Sequence, residues 1–159
     1  MYLQLLRKAH PAVFDDAYAY RHGQARLLRD GRDVTLVSTG LMTHKAREAA
    51  ALLAREGVEA RHLHLPCVKP LDADAILTAA RETGGIVTCE NGFVAGGLGG
   101  AIAELLAERH PTPVRRIGVQ DRFGEVATAD YLLEKHGMTP RHIAAAALEL
   151  FRKKAVLAA

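Results

Sequence analysis

Residues 90–100 read ENGFVAGGLGG: a carboxylate and an amide close an apolar run, four glycines fall within five positions, and the apolar AIAELLAE follows. Glycines leading into a helix N-terminus suggest phosphate binding, because the free N–H groups and the helix dipole there favour an anion. The spacing argues otherwise. From Gly97 the string runs G-L-G-G-A and then places Ile102 where a dinucleotide fingerprint needs its third glycine. No GxxxxGK followed by Ser or Thr occurs, so this is no P-loop. The other reading is conformational: Gly96, Gly97, Gly99 and Gly100 admit positive φ and close backbone approach. That suits a tight turn at a joint between packed pieces.

The remaining chemistry-bearing residues are sparse. Glu90, at a strand end beside Asn91, could handle protons or pair with Arg122 from the adjacent loop. His62 and His64 lie two apart on a strand, share a face and could chelate a metal. No third ligand accompanies them, and a solvated strand face is expected. Cys67 and Cys89 both fall near the carboxyl edge of the sheet and read as small buried hydrophobes, since neither has a base evident in the sequence. Arg115-Arg116 and Arg152-Lys153-Lys154 read as solvated charge.

The elements that position these residues follow from period and punctuation. Residues 9–23 have no clean period and read as a linker, while MYLQLL has strand character. Two apolar runs, 24–28 and 34–38, flank Asp30-Gly31, a step that signals a hairpin and predicts two antiparallel neighbours. A helical stripe on Ala46, Ala49, Ala50, Leu52 and Leu53 stops at Gly57. Residues 58–65 read as a strand, PCVKP as a loop, and Asp72 as the cap of a helix running to about Glu82, with Gly84 behind it. GIVTC is a short apolar strand buried on both faces. The glycine run feeds a helix to about Arg109, and VRRIGV is the last strand. QDRFGEVAT is a loop, ADYLLEKHG a helix, and Thr139-Pro140 opens a final helix with Thr as cap and Pro at its first position. Strands alternating with helices give right-handed crossovers and a parallel sheet covered on both faces. The expected fold class is therefore α/β, a three-layer α/β/α domain with a mixed five-stranded sheet, one strand antiparallel. Ligands in such a sheet sit beyond the carboxyl ends of the strands, where STGLM, PCVKPLD, the glycine loop and VQDRFG should gather.

Bulk properties exclude several classes. The 159 residues suit one domain, and a net charge of +3 with only 5% aromatics offers neither the basic stripe nor the stacking platform of a nucleic-acid binder. Two distant cysteines and the absence of a signal-peptide pattern or an 18-residue apolar span point to a reduced, cytoplasmic, membrane-free protein.

In order along the chain, KPLD at 69–72, Glu90-Asn91 followed by GGLG at 96–99, and G-V-x-D-R-F-G at 118–124 resemble the C-terminal domain of transketolase and 1-deoxyxylulose-5-phosphate synthase. The resemblance covers roughly residues 23–150, and the family's mixed sheet agrees with the element order. It implies a thiamine diphosphate-dependent enzyme that transfers two-carbon ketol units between sugar phosphates. In that family this domain is the third of three, and the others bind the cofactor across a dimer interface. The chain lacks a GDG…N diphosphate and metal motif; RDG at Arg29–Gly31 is the only similar string. Residues 1–22 then look like the exit segment from a preceding domain and 23–159 like the domain itself, either a cut-out or a separately encoded subunit. No catalytic, cofactor or metal residue is expected on this chain, whereas thiamine diphosphate and Mg2+ are expected in the assembled enzyme. The expected partner is a catalytic subunit or domains, within a homodimeric assembly. Glu90, Asn91, Gly96, Gly97, Gly99, Asp121, Arg122 and Phe123 are the expected interface. Two departures stand out: Gly92 replaces a histidine common in the family, and Glu125-Val126-Ala127-Thr128 replaces a glycine that often follows DRFG. The alternatives are the β component of a 2-oxo acid dehydrogenase, a stand-alone nucleotide or sugar-phosphate module, and a structural dimerisation domain.

Overall fold

A computed structural model describes residues 3, 5 and 9–157. The elements run β1 (Arg26–Arg29), β2 (Val34–Ser38), α1 (Met42–Arg55), β3 (Ala60–His64), α2 (Ala73–Thr83), β4 (Ile86–Phe93), α3 (Leu98–Arg109), β5 (Val114–Val119), α4 (Ala129–Lys135) and α5 (Pro140–Leu157). This is the order and type of element that the sequence predicts. The strand character of MYLQLL falls largely outside the described residues.

The five strands form one sheet in the order β1-β3-β2-β4-β5, with β2 to β5 parallel and β1 antiparallel to β3. Central β2, VTLVS, is buried along its whole length, as a parallel strand covered on both faces must be. One face carries Val34, Leu36, Ala60, Val87 and Cys89 against α1 and α5. The other carries Val37, Leu63, Leu65 and Ile86 against α2 and α3. Local chemistry sets the helix ends. Asp72 accepts the Ala75 amide at 3.1 Å, and Gly84 ends α2 in the left-handed conformation at φ 66°. Helix α5 begins at Pro140 as expected; the Thr139 carbonyl accepts the Ile143 amide at 3.1 Å, and its hydroxyl lies 2.7 Å from His142 Nδ1. No helix among the described residues is long and apolar enough to cross a membrane.

The antiparallel strand is present, but the hairpin that predicted it is not. β1 pairs with β3, Leu27 opposite Leu63, and β3 lies between β1 and β2. Residues 30–33 step across the start of β3 instead of turning back. Passing one strand means covering two spacings, about 10 Å, which four extended residues can reach. The crossing is tied down at both ends. Asp33 donates its amide to Glu59 O at 3.0 Å and accepts the Glu59 amide at 2.7 Å, while Arg61 donates to Asp30 Oδ1 at 3.0 Å and also pairs with Glu82. Gly31 is needed for proximity rather than for a turn. A Cβ there would lie 2.4 Å from Ala60 C and 2.5 Å from Arg61 N.

Candidate functional site

The site region is the carboxyl edge of the four parallel strands, and Glu90 organises its centre. β4 runs straight through the motif, so Glu90, Asn91, Gly92 and Phe93 are strand residues with an irregular register before Phe93 pairs with Val119. Glu90 is 5% exposed and folds its carboxylate under the glycine turn. Its Oε2 accepts the Leu98 amide at 2.9 Å and its Oε1 the Gly99 amide at 2.8 Å. A carboxylate on two free N–H groups at a helix N-terminus makes charge-assisted bonds and meets the positive end of the dipole. The anion that this helix end favours is thus supplied by the chain itself. A phosphate on these two amides would first have to displace Glu90.

The glycines exist to make room for that arrangement. A Cβ on Gly97 would lie 2.0 Å from Glu90 Oε2 and 2.7 Å from Phe93 O, and one on Gly99 would lie 2.7 Å from Thr88 Oγ1. Gly96 adopts φ 72° with open space around it. Arg116 bonds the Val94 carbonyl at 2.9 Å and walls the turn from β5, where Gly118 lets the Gly92 carbonyl pass close by. These supports from β5 are absent from the sequence reading, and only the single glycine in RRIGV, Gly118, hints at them.

The eight expected interface residues divide accordingly. Glu90, Gly97 and Gly99 build the turn from inside, and half-buried Asn91 turns its Oδ1 toward Gly40 at the entry to α1. Gly96, Asp121, Arg122 and Phe123 are exposed. Glu90 bonds the two amides rather than Arg122. Every residue from 121 to 130 is exposed, with Phe123 at 104%, Val126 at 106% and neighbouring Phe93 at 54%. Three large apolar side chains therefore face solvent at one end of β4 and β5. Phe93 and Val126 were missing from the expected set; the signal for them is an apolar residue at an outward strand position and another inside a polar loop.

The histidines share a face as expected, but that face is not solvated. His62 and His64 point to the α1 side, and both are buried. Helix α1 covers them, and the Phe14 ring packs edge-on to His64 at 5.2 Å. A polar chain links them: His62 Nε2 to Ser38 Oγ at 2.7 Å, Ser38 Oγ to Thr43 Oγ1 at 3.1 Å, and Thr43 Oγ1 to His64 Nδ1 at 2.9 Å. Ser38 donates its one proton to Thr43, so His62 Nε2 is the donor to Ser38, and Thr43 donates to His64. Burial lowers both histidines from 6.5 to about 4, with His64 and Arg47 adding to the effect on His62. Burial thus keeps both neutral at pH 7. Cys89 is buried and its thiol is pushed up by burial first and then by Glu90. Cys67 is half-buried, not buried as expected.

Residues 23–143 match the family described as "Transketolase, C-terminal domain". The chain belongs to the transketolase C-terminal domain family. It is 46% identical over 154 residues to a 6-deoxy-6-sulfo-D-fructose transketolase subunit of Clostridium sp. (strain MSTE9), covering 97% of this chain and 48% of that one. It is 46% identical over 129 residues to a 1-deoxy-D-xylulose-5-phosphate synthase of Heliobacterium modesticaldum, covering 80% of this chain and 20% of that one. A solved structure described as a split gene transketolase, inactive beta4 tetramer, superposes with TM-score 0.86 at 44% identity, covering 89% of this chain and 46% of that chain. This chain thus spans half or less of the length of these relatives.

Proposed function

We propose that this chain serves a transketolase-type enzyme, one that transfers two-carbon ketol units between sugar phosphates, and that its part is assembly rather than chemistry. The observation that carries this reading is the filling of the glycine turn by Glu90, which leaves a rigid edge instead of a ligand cradle. Phe93, Phe123 and Val126 stand in solvent, apolar side chains suited to burial against another polypeptide. Asp121, Arg122, Gly96 and Asn91 serve as polar contacts to that partner, and Glu90, Gly97 and Gly99 hold the turn from inside.

The family resemblance brings thiamine diphosphate and Mg2+ to the assembled enzyme, and the residues here do not fit that pair. Among the described residues no three or more His, Cys, Asp or Glu side chains gather where they could hold a metal ion. The amides of the glycine turn are already bonded to Glu90. The partner is therefore the polypeptide, or the part of one, that carries the cofactor domains. Two relatives fit this division: one is described as a transketolase subunit, and the other is a split gene transketolase whose tetramer is described as inactive.

The test is complementation. With thiamine diphosphate, Mg2+ and sugar phosphates the chain alone should show no ketol transfer, and adding the cofactor-bearing polypeptide should produce it. Phe123→Asp should raise the concentration of chain needed for half-maximal activity by at least about tenfold, the loss of one interface anchor. Turnover by the chain alone, or a Phe123→Asp/Val126→Asp chain that complements like wild type, would refute the proposal.

A further inference from the structure

The sheet ends at β1, on the side away from β5. Leu65 donates its amide to Ser38 on β2, so the odd-numbered residues of β3 turn their backbone groups to β2, and His62 and His64 turn theirs to β1. Arg26, opposite His64, therefore bonds inward, and Leu27 points its N–H and C=O away from the sheet. The preceding outward amide, that of Ala25, is closed by Asp72 at 2.7 Å. A groove flanks this edge on each face. On the α1 side a groove of about 670 Å3 lies between β1 and residues 13–21, lined by Phe14, Tyr18, Arg21, Gln24 and Arg26. Arg21 and Arg26 are exposed and form no ion pair among the described residues. Asp15, in the same wall, accepts the Ala17 amide at 3.2 Å. On the α2 side a groove of about 420 Å3 is lined by Leu27, Leu63, Ala75 and Ala79, with exposed Asp74 and Glu82 also in its wall. Leu27 borders both grooves and is 50% exposed.

We infer that β1 takes a sixth strand from another polypeptide, an extended segment whose side chains alternate between acidic and apolar. Leu27 supplies the backbone donor and acceptor that seat it. Successive side chains of a strand point to opposite faces, so an added strand sends one set over each groove. The set on the α1 side meets the guanidinium groups of Arg21 and Arg26, which call for carboxylates. The set on the α2 side meets Leu27 and two alanines beside Asp74 and Glu82, a lining that accepts apolar groups and repels acidic ones. The same charges set the occupant apart from a second copy of this chain. Pairing β1 with its own copy would bring Arg26 and Arg29 of both chains together. This edge lies across the sheet from β5 and shares no residue with the Phe123 surface.

The test is fluorescence anisotropy of the folded 159-residue chain with a fluorescein-labelled heptapeptide of alternating Glu and Val. Binding should saturate at one peptide per chain with a Kd below about 1 mM and weaken as salt is added. A peptide of the same composition with its Val residues grouped together should bind at least about tenfold more weakly, because it cannot serve both faces at once. Arg26→Glu should weaken binding of the alternating peptide at least about tenfold. Leu27→Pro, which removes the outward N–H but no bond to β3, should do the same. Circular dichroism checks that each variant is folded. No saturation at about 1 mM chain, equal binding of the grouped peptide, or a folded Arg26→Glu or Leu27→Pro chain that binds like wild type would overturn the inference.

Discussion

Gly97→Ala is the perturbation that most directly tests how the turn is held. The backbone at Gly97 has φ −100° and ψ −157°, a conformation open to any residue, so the substitution causes no dihedral strain. Its whole effect is steric. The new methyl would stand 2.0 Å from Glu90 Oε2 and 2.8 Å from Glu90 Cδ, and the carboxylate must leave. Its departure strands the Leu98 and Gly99 amides, both on buried residues. Two charge-assisted bonds at the low end of their range, about 1.5 kcal/mol each, give about 3 kcal/mol. For a chain of this size that corresponds to a fall in Tm of about 6–12 °C. The assay is thermal unfolding followed by circular dichroism, with Gly96→Ala as comparison. Gly96 has open space but a positive φ, so its alanine should cost only about 1 kcal/mol. The decisive arm repeats Gly97→Ala in a Glu90→Ala background. Once the carboxylate is gone, the clash with the backbone oxygen of Phe93 at 2.7 Å persists, and only the share carried by the two lost bonds should vanish. A Tm within about 2 °C of wild type for Gly97→Ala, or an undiminished cost beside Glu90→Ala, would refute the reasoning.

Gly31→Ala should destabilise by about 3 kcal/mol in urea unfolding, because its methyl meets β3 backbone atoms that cannot swing aside; a midpoint like that of wild type would restore a simple turn there. His62 and His64 titrate near pH 4 when folded and near 6.5 when unfolded, so below about 6.5 the unfolded chain holds more protons. Stability should accordingly be complete above that pH and decline as the pH falls toward 4; equal urea midpoints at pH 7 and pH 5.5 would contradict it. Phe123→Asp alters a fully exposed side chain and should leave Tm unchanged within about 2 °C while weakening complementation. A large loss of Tm in that variant would mean that the loop is packed, and the docking role would fall.

Much of this protein was determined by residues acting on near neighbours in the chain. Asp72 and Gly84 bracket α2 through contacts within a single turn, and the alternation around Leu63 assigns each strand face. The order and type of all ten elements follow from such local signals, and so does the parallel sheet that they force. Three things were decided only by tertiary structure. Asp30-Gly31 can close a hairpin or step over a strand, and the choice belongs to Glu59 and Arg61, about thirty residues downstream. Whether the His62 and His64 face is wet depends on α1 and Phe14 being laid across it. Glu90 could have met a proton, Arg122 or a ligand, and it meets its own helix because β4 ends directly beneath α3. In each case the deciding partner is distant in sequence, and periodicity carries no information about distance in space.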